Sequence, residues 1–130
     1  MAGKLNMEVA RLKQKIKSKT VTDTNGCFLW FGGKDKNKKY GRIWANMYSD
    51  GLFTGKSVEV HRVAYLIWSD NFGATLADGL EVSHLCHEPI CCNLQHLSLE
   101  PKQINQEREH CLNQNMCMGH ASYPCCIIFS

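Results

Sequence analysis

The chain has 130 residues, 44% of them apolar, and a formal net charge of +3, which fits one small folded domain and excludes a largely disordered, highly charged chain. No apolar stretch approaches the roughly 18 residues needed to span a bilayer. Met1 to Thr20 is basic and amphipathic, without the apolar core of a secretory signal, so an intracellular protein with no membrane partner is expected.

The charge is unevenly distributed: 12 of the 15 Lys and Arg precede residue 60, and the second half is net acidic. A basic first half suits a surface that faces phosphates, because each neutralised phosphate releases counterions. Any single lysine is equally well explained as solvated surface. The eight cysteines are read as metal ligands rather than disulfides, because the compartment is reducing and histidines are interleaved among them. In so short a chain such cross-links carry a large share of the stability.

In chain order, Met7, Val9, Ala10, Leu12 and Ile16 recur at helical spacing beside Arg11, Lys13, Lys15 and Lys17. This predicts a basic amphipathic helix within residues 1–20, packed on the domain or lying along DNA. After the polar stretch from Thr20 to Gly26, residues Cys27 to Phe31 read as a short buried strand closed by Gly32-Gly33. Lys34 to Lys39 is a charged loop. Tyr40 to Tyr48 and Ser57 to Val60 carry the β-branched and aromatic residues of an antiparallel ribbon, interrupted by Ser49-Asp50-Gly51 and by a turn centred on Gly55. Helical spacing returns from His61 to Trp68 and ends in the region of Gly73 and Gly79; Leu80 to Leu85 is strand-like. Beyond Cys86 short turns predominate, with one helix predicted from Lys102 to Glu109.

Cys86, Cys91 and His96 form C-x4-C-x4-H, three ligands within eleven residues. Structural zinc is tetrahedral and closed, so a fourth ligand is needed, and Cys27 is the one cysteine in the first half. The competing reading of Cys27 is a small core hydrophobe. A second group, Cys111, Cys117 and His120 with Cys125 or Cys126, lies within sixteen residues; Cys125 is the favoured fourth member. Cys92, the remaining member of the last pair and His87, a further possible ligand, are read as packed or solvent-facing rather than as ligands.

His84 lies two residues before Cys86 at a strand end, held by the neighbouring zinc loop. Imidazole titrates near neutral pH and suits a general base. Asn105, at the centre of the helix after the zinc loop, offers a neutral oxygen to a hard divalent ion that keeps most of its waters.

Together, Ser83-His84-Leu85-Cys86-His87, Cys91, His96-Leu97, Asn105 and the knuckle from Cys111 resemble the His-Cys box of group I intron homing endonucleases. Upstream, Gly26-Cys27-Phe28-Leu29-Trp30, Tyr40-Gly41-Arg42-Ile43 and Val60-His61-Arg62-Val63-Ala64-Tyr65 are similar to the lead-in of small phage HNH endonucleases. Both groups are ββα-metal, or His-Me finger, nucleases.

The resemblance implies an α+β domain in which an antiparallel ribbon precedes a ββα-metal motif with two structural zinc sites. It divides residues 21–130 into a ribbon at about 37–60, a ββα core at about 80–110 and a zinc knuckle at 111–126. It implies His84 as general base, Asn105 as the protein ligand of a catalytic Mg²⁺, and Arg42 as the cation at the scissile phosphate. Cys27, Cys86, Cys91 and His96 would hold the first zinc, and Cys111, Cys117, His120 and Cys125 the second. Double-stranded DNA would be the partner, with nucleus or nucleoid as the location that follows from it. Ser83 stands where HNH families usually carry an acidic residue, which favours ligation by Asn105 alone. A homodimer is left open, without a swapped C-terminal tail.

The ribbon would enter the major groove. Alternation gathers Tyr40, Arg42, Trp44, Asn46 and Tyr48 on one face, with Lys38, Lys39 and Lys56 near its ends as phosphate contacts and Asn46 as a base reader. The alternative is that Trp44 and Tyr48 are core. Three functions rank in order: a DNA endonuclease, a non-cutting DNA-binding module on the same fold, and a zinc-stapled protein-interaction domain.

Overall fold

The computed structural model describes residues 2–49, 52–69 and 79–127. Helix α1 spans Ala2–Ser18. Leu12 and Ile16 are buried on the core side, where α1 packs on a second helix, α2 (Val60–Trp68), and on strand β3 (Arg42–Ser49). Glu8 explains how helix and strand are joined. It pairs with Arg11 and accepts from the Asn46 backbone N–H at 2.6 Å, while Arg11 donates to the Trp44 carbonyl at 2.9 Å. The free edge of β3 is thereby covered, as an exposed strand edge requires.

Strands β1 (Thr20–Thr22) and β2 (Phe28–Trp30) form a short hairpin whose first strand arises within the stretch read from sequence as polar loop. Strand β3 pairs antiparallel with β4 (Leu52–Glu59) in unbroken register from Arg42↔Glu59 to Ser49↔Leu52. The predicted turn at Gly55 is therefore corrected: Gly55 is mid-strand, opposite Asn46. Glycine is needed there because the Trp44 ring lies across it, and a Cβ would stand 2.4 Å from the indole nitrogen. Asp50, Gly51 and the region of Gly73 lie outside the described residues.

Helix α2 buries Val60, Val63, Ala64, Leu66 and Ile67. Each such side chain removed from water contributes about 1.5–3 kcal/mol before entropy is counted. Trp30 lies against this helix and against Gly41, where a Cβ would meet the indole at 2.4 Å. Strand β5 (Leu80–His84) pairs with β6 (Leu97–Pro101), the second strand of the ββα core that the resemblance implies but residue pattern does not mark, and α3 (Lys102–Gln114) packs on this hairpin. Helix α3 runs past its predicted end at Glu109 and stops where Asn115 takes a left-handed conformation at φ 55°. Among the described residues no helix is long and apolar enough to cross a membrane.

Candidate metal centres and catalytic cleft

Two clusters of four donor atoms, each within 4.8 Å of one another, involve the β5–β6 loop in one case and the end of α3 with the chain beyond it in the other. The first is Cys27, Cys86, Cys91 and His96, all buried, with the His96 Nδ1 at 3.5 Å from Cys27 Sγ and 3.6 Å from Cys91 Sγ. The second is Cys111, Cys117, Cys126 and His120, with the His120 Nε2 at 3.5, 3.4 and 3.6 Å from the three sulfurs. Ideal tetrahedral zinc bonds place sulfur and nitrogen about 3.5 Å apart. The spacing and donor chemistry of both groups therefore fit structural zinc.

The expectation of Cys125 as a ligand is corrected to Cys126. Cys125 is exposed, while its neighbour is fully buried and aimed into the cluster. Cys126→Ser should drop bound zinc from two equivalents to one by chelator assay, and Cys125→Ser should keep both.

Each centre is anchored by its surroundings. Around the first, Trp30 N–H donates to the Ile90 carbonyl at 3.0 Å and Cys92 N–H to the Phe28 carbonyl at 2.8 Å, docking the zinc loop on β2. Cys92 itself packs in the main core. Around the second, Glu107 accepts the Nδ1–H of His120 at 2.9 Å, which leaves Nε2 free for metal. Arg108 is buried, paired with Glu100 on β6, and donates to Cys126 Sγ at 3.5 Å and to the Pro124 carbonyl at 2.7 Å. Removing either partner of such a buried pair would strand a charge at a cost of about 3–5 kcal/mol.

Two adjoining cavities form a cleft at the end of β5. One, of about 320 Å³, is lined by Tyr40, Glu59, His61, Arg62, Leu80 to Val82, His84 and Asn105. The other, of about 170 Å³, shares Tyr40, His84 and Asn105 and adds Lys39, His87 and Arg108, among others. His84 thus leaves the end of β5 into the space that Asn105 enters from α3.

The His84 Nε2 lies 3.2 Å from the Cys91 carbonyl oxygen. A carbonyl only accepts, so Nε2 carries the hydrogen and Nδ1 keeps the lone pair. Burial pushes the His84 pKa down to about 4, so the ring is neutral at neutral pH. The His61 ring stands 4.4 Å from that of His84, and Tyr40 lies 5.5 Å from His61. Burial also pushes His61 down, to about 2.

The ribbon residues separate. Arg42, Trp44 and Asn46 share one face by alternation, while Ile43 and Ala45 are buried on the other. Trp44 is 57% exposed, which removes the reading of it as core. Asn46 is already engaged, its amide donating to Glu8 at 3.1 Å. Arg42 donates to the Ser57 hydroxyl at 3.2 Å and carbonyl at 2.8 Å, and it lines neither cavity. Lys56 is exposed but stands opposite Ala45, on the side away from Trp44. Lys38 and Tyr40 precede the ribbon, as does Lys39, whose ammonium lies 5.2 Å over the Tyr40 ring beside the cleft. The side chain of Tyr48 lies outside the described residues. Sequence reasoning gave no site role to His61, Arg62, Glu81 or Arg108. The available signal was weak: a polar His-Arg pair opening an otherwise apolar helix.

A strand hairpin and helix that bring a histidine and an asparagine to one cleft, together with two Cys3His clusters whose geometry suits structural zinc, define a ββα-metal domain. The family described as the zinc-binding loop region of homing endonuclease matches residues 27–126, and the chain belongs to that family. Similar proteins include Protein 2.8 of Escherichia phage T7, 33% identical over 105 residues, which are 76% of this chain and 64% of that protein. Protein 7.7 of the same phage is 36% identical over 81 residues, 62% of this chain and 52% of that protein. The chain thus spans between about half and two thirds of the length of these relatives. No solved structure matches.

Proposed function

We propose that the chain is a metal-dependent endonuclease, homing-type or HNH-like, that hydrolyses phosphodiester bonds of double-stranded DNA. The observation that carries this reading is the tautomer of His84. With Nε2–H spent on the Cys91 carbonyl, the bare Nδ1 is the atom left to take a proton, and His84 shares its cavity with Asn105.

A divalent cation fits this donor set. Mg²⁺ prefers oxygen ligands and retains several waters, and the larger cavity, of about 320 Å³, has room for an ion with its waters. Asn105 would hold the ion, which when bound supplies positive charge at the phosphate and the departing 3′ oxygen. His84 Nδ1 takes a proton from the attacking water as its oxygen approaches phosphorus in line with that 3′ oxygen. Arg62, lining the same cavity, is the cation best situated to offset phosphate charge as it develops. Arg42, which lies outside the cleft, contacts a flanking phosphate from the ribbon beside exposed Trp44 rather than the scissile one. Lys38 and Lys39 supply sequence-independent contacts, whereas Lys56 stands on the opposite side of the ribbon. The zinc centres do no chemistry; they hold hairpin, loop and helix in register. Location in a nucleoid or nucleus follows from the substrate.

The test is plasmid cleavage by zinc-loaded protein with and without Mg²⁺. Nicking or linearisation that requires Mg²⁺ is expected. Binding without cutting, over varied DNA, would instead favour a non-catalytic DNA-binding module.

A further inference from the structure

A primary amide has two unlike ends: the oxygen accepts hydrogen bonds and can ligate a cation, whereas the NH2 only donates. Whether an asparagine can serve a metal therefore depends on what fixes its flip. Asn105 meets a carboxylate. Its amide lies 2.5 Å from Glu81 Oε2, a contact that joins helix α3 to strand β5 across 24 positions of sequence. Ionised carboxylates only accept, so Nδ2 must face Glu81 and Oδ1 must point away from it. Glu81, Asn105 and His84 all line the larger cavity.

We propose that Glu81 is a positioning residue: its carboxylate captures the Asn105 NH2 and thereby presents the Asn105 Oδ1 to the divalent cation. The inference rests on the reading of Asn105 as metal ligand. It gives β5 a second role beside carrying His84, since the same strand sets the base and orients the ligand. The acidic residue absent at Ser83 is then supplied in a different capacity by Glu81, three positions before the base rather than one. Partners that orient metal ligands in this way typically change metal affinity by about 10- to 100-fold when removed.

The test follows Mn²⁺ binding by NMR on zinc-loaded, 15N-labelled protein. It reads paramagnetic broadening of the Asn105 side-chain amide signals, assigned by their loss in Asn105→Ala. Glu81→Ala should require at least about tenfold more Mn²⁺ for half-maximal broadening. Glu81→Gln retains a carbonyl acceptor for the Asn105 NH2 and should stay within about threefold of wild type. Both variants should keep two equivalents of zinc.

Unchanged Mn²⁺ response in Glu81→Ala would overturn the proposal. So would a loss in Glu81→Gln as large as in Glu81→Ala, because charge or direct ligation by Glu81 would then be what matters. If Glu81→Ala fails to fold, Glu81→Leu, which keeps the side-chain volume and removes the acceptor, takes its place with the same expected loss. Cleavage is not the readout. A wild type that shows Mn²⁺ at Asn105 but cuts no DNA would lose the nuclease reading and keep this one. No Mn²⁺ effect at Asn105 in wild type would remove the ligand role and the orienting role together.

Discussion

Replacing His84 with alanine is expected to lower Mg²⁺-dependent DNA cleavage by at least about 100-fold, the lower end of what a positioned general base contributes. Zinc content and thermal midpoint should change little. The expectation follows from the ring's surroundings. His84 ends β5 at the cleft, its Nε2–H is taken by a backbone carbonyl of the zinc loop, and its Nδ1 has the free lone pair. Burial keeps it neutral, so it enters the reaction as a base rather than as a cation. The deletion removes no zinc ligand, and the neighbouring cavity leaves room for water to replace the ring. His84→Gln keeps a polar group without a comparable base and should be equally inactive. Cleavage at wild-type rates by a folded, zinc-loaded His84→Ala protein would end the assignment.

Zinc removal is the second large effect. Structural zinc contributes about 10–16 kcal/mol of apparent binding free energy at neutral pH, and domains of this size are stable by only about 5–15 kcal/mol. Metal-stripped protein should therefore lack a cooperative thermal transition, which calorimetry and near-UV circular dichroism read directly. The two centres should not weigh equally. The first joins Cys27 to Cys86, 59 positions apart, and holds the zinc loop against β2 and Trp30 in the main core. The second opens with Cys111 and Cys117, six positions apart, and closes a local knuckle on the end of α3. A tenfold difference in loop length alone is worth roughly 2 kcal/mol of closure entropy. Cys91→Ser should accordingly destabilise the domain more than Cys117→Ser, and the reverse order would contradict this account of the core.

Much of this molecule is written in short-range pattern. Cys86, Cys91 and His96 are close enough in sequence to be recognised as one site without a fold, as are Cys111, Cys117 and His120. The helices of the N-terminus and of residues 61–68 follow from apolar spacing because one face of each must leave water. The ribbon's alternation likewise separates buried Ile43 and Ala45 from exposed Trp44.

What spacing could not decide are choices between near-equivalent neighbours and meetings between distant segments. Cys125 and Cys126 are adjacent and chemically identical, and only the path of the chain past Arg108 turns the second inward. Gly55 has the composition of a turn, yet a cross-strand indole makes it a mid-strand requirement. Strand β6 is short and follows a ligand-rich loop, so its identity comes from pairing with β5 rather than from its own pattern. His61 and Arg62 come from α2, Glu81 from β5 and Asn105 from α3, and no local rule links them. They share a cleft because two metal centres and one apolar core fix three separate elements around His84. The locally spaced ligands, Cys86, Cys91, His96, Cys111, Cys117 and His120, were legible along the chain; the last ligand and the makeup of the cleft were settled by the tertiary structure, because burial and metal geometry act through space.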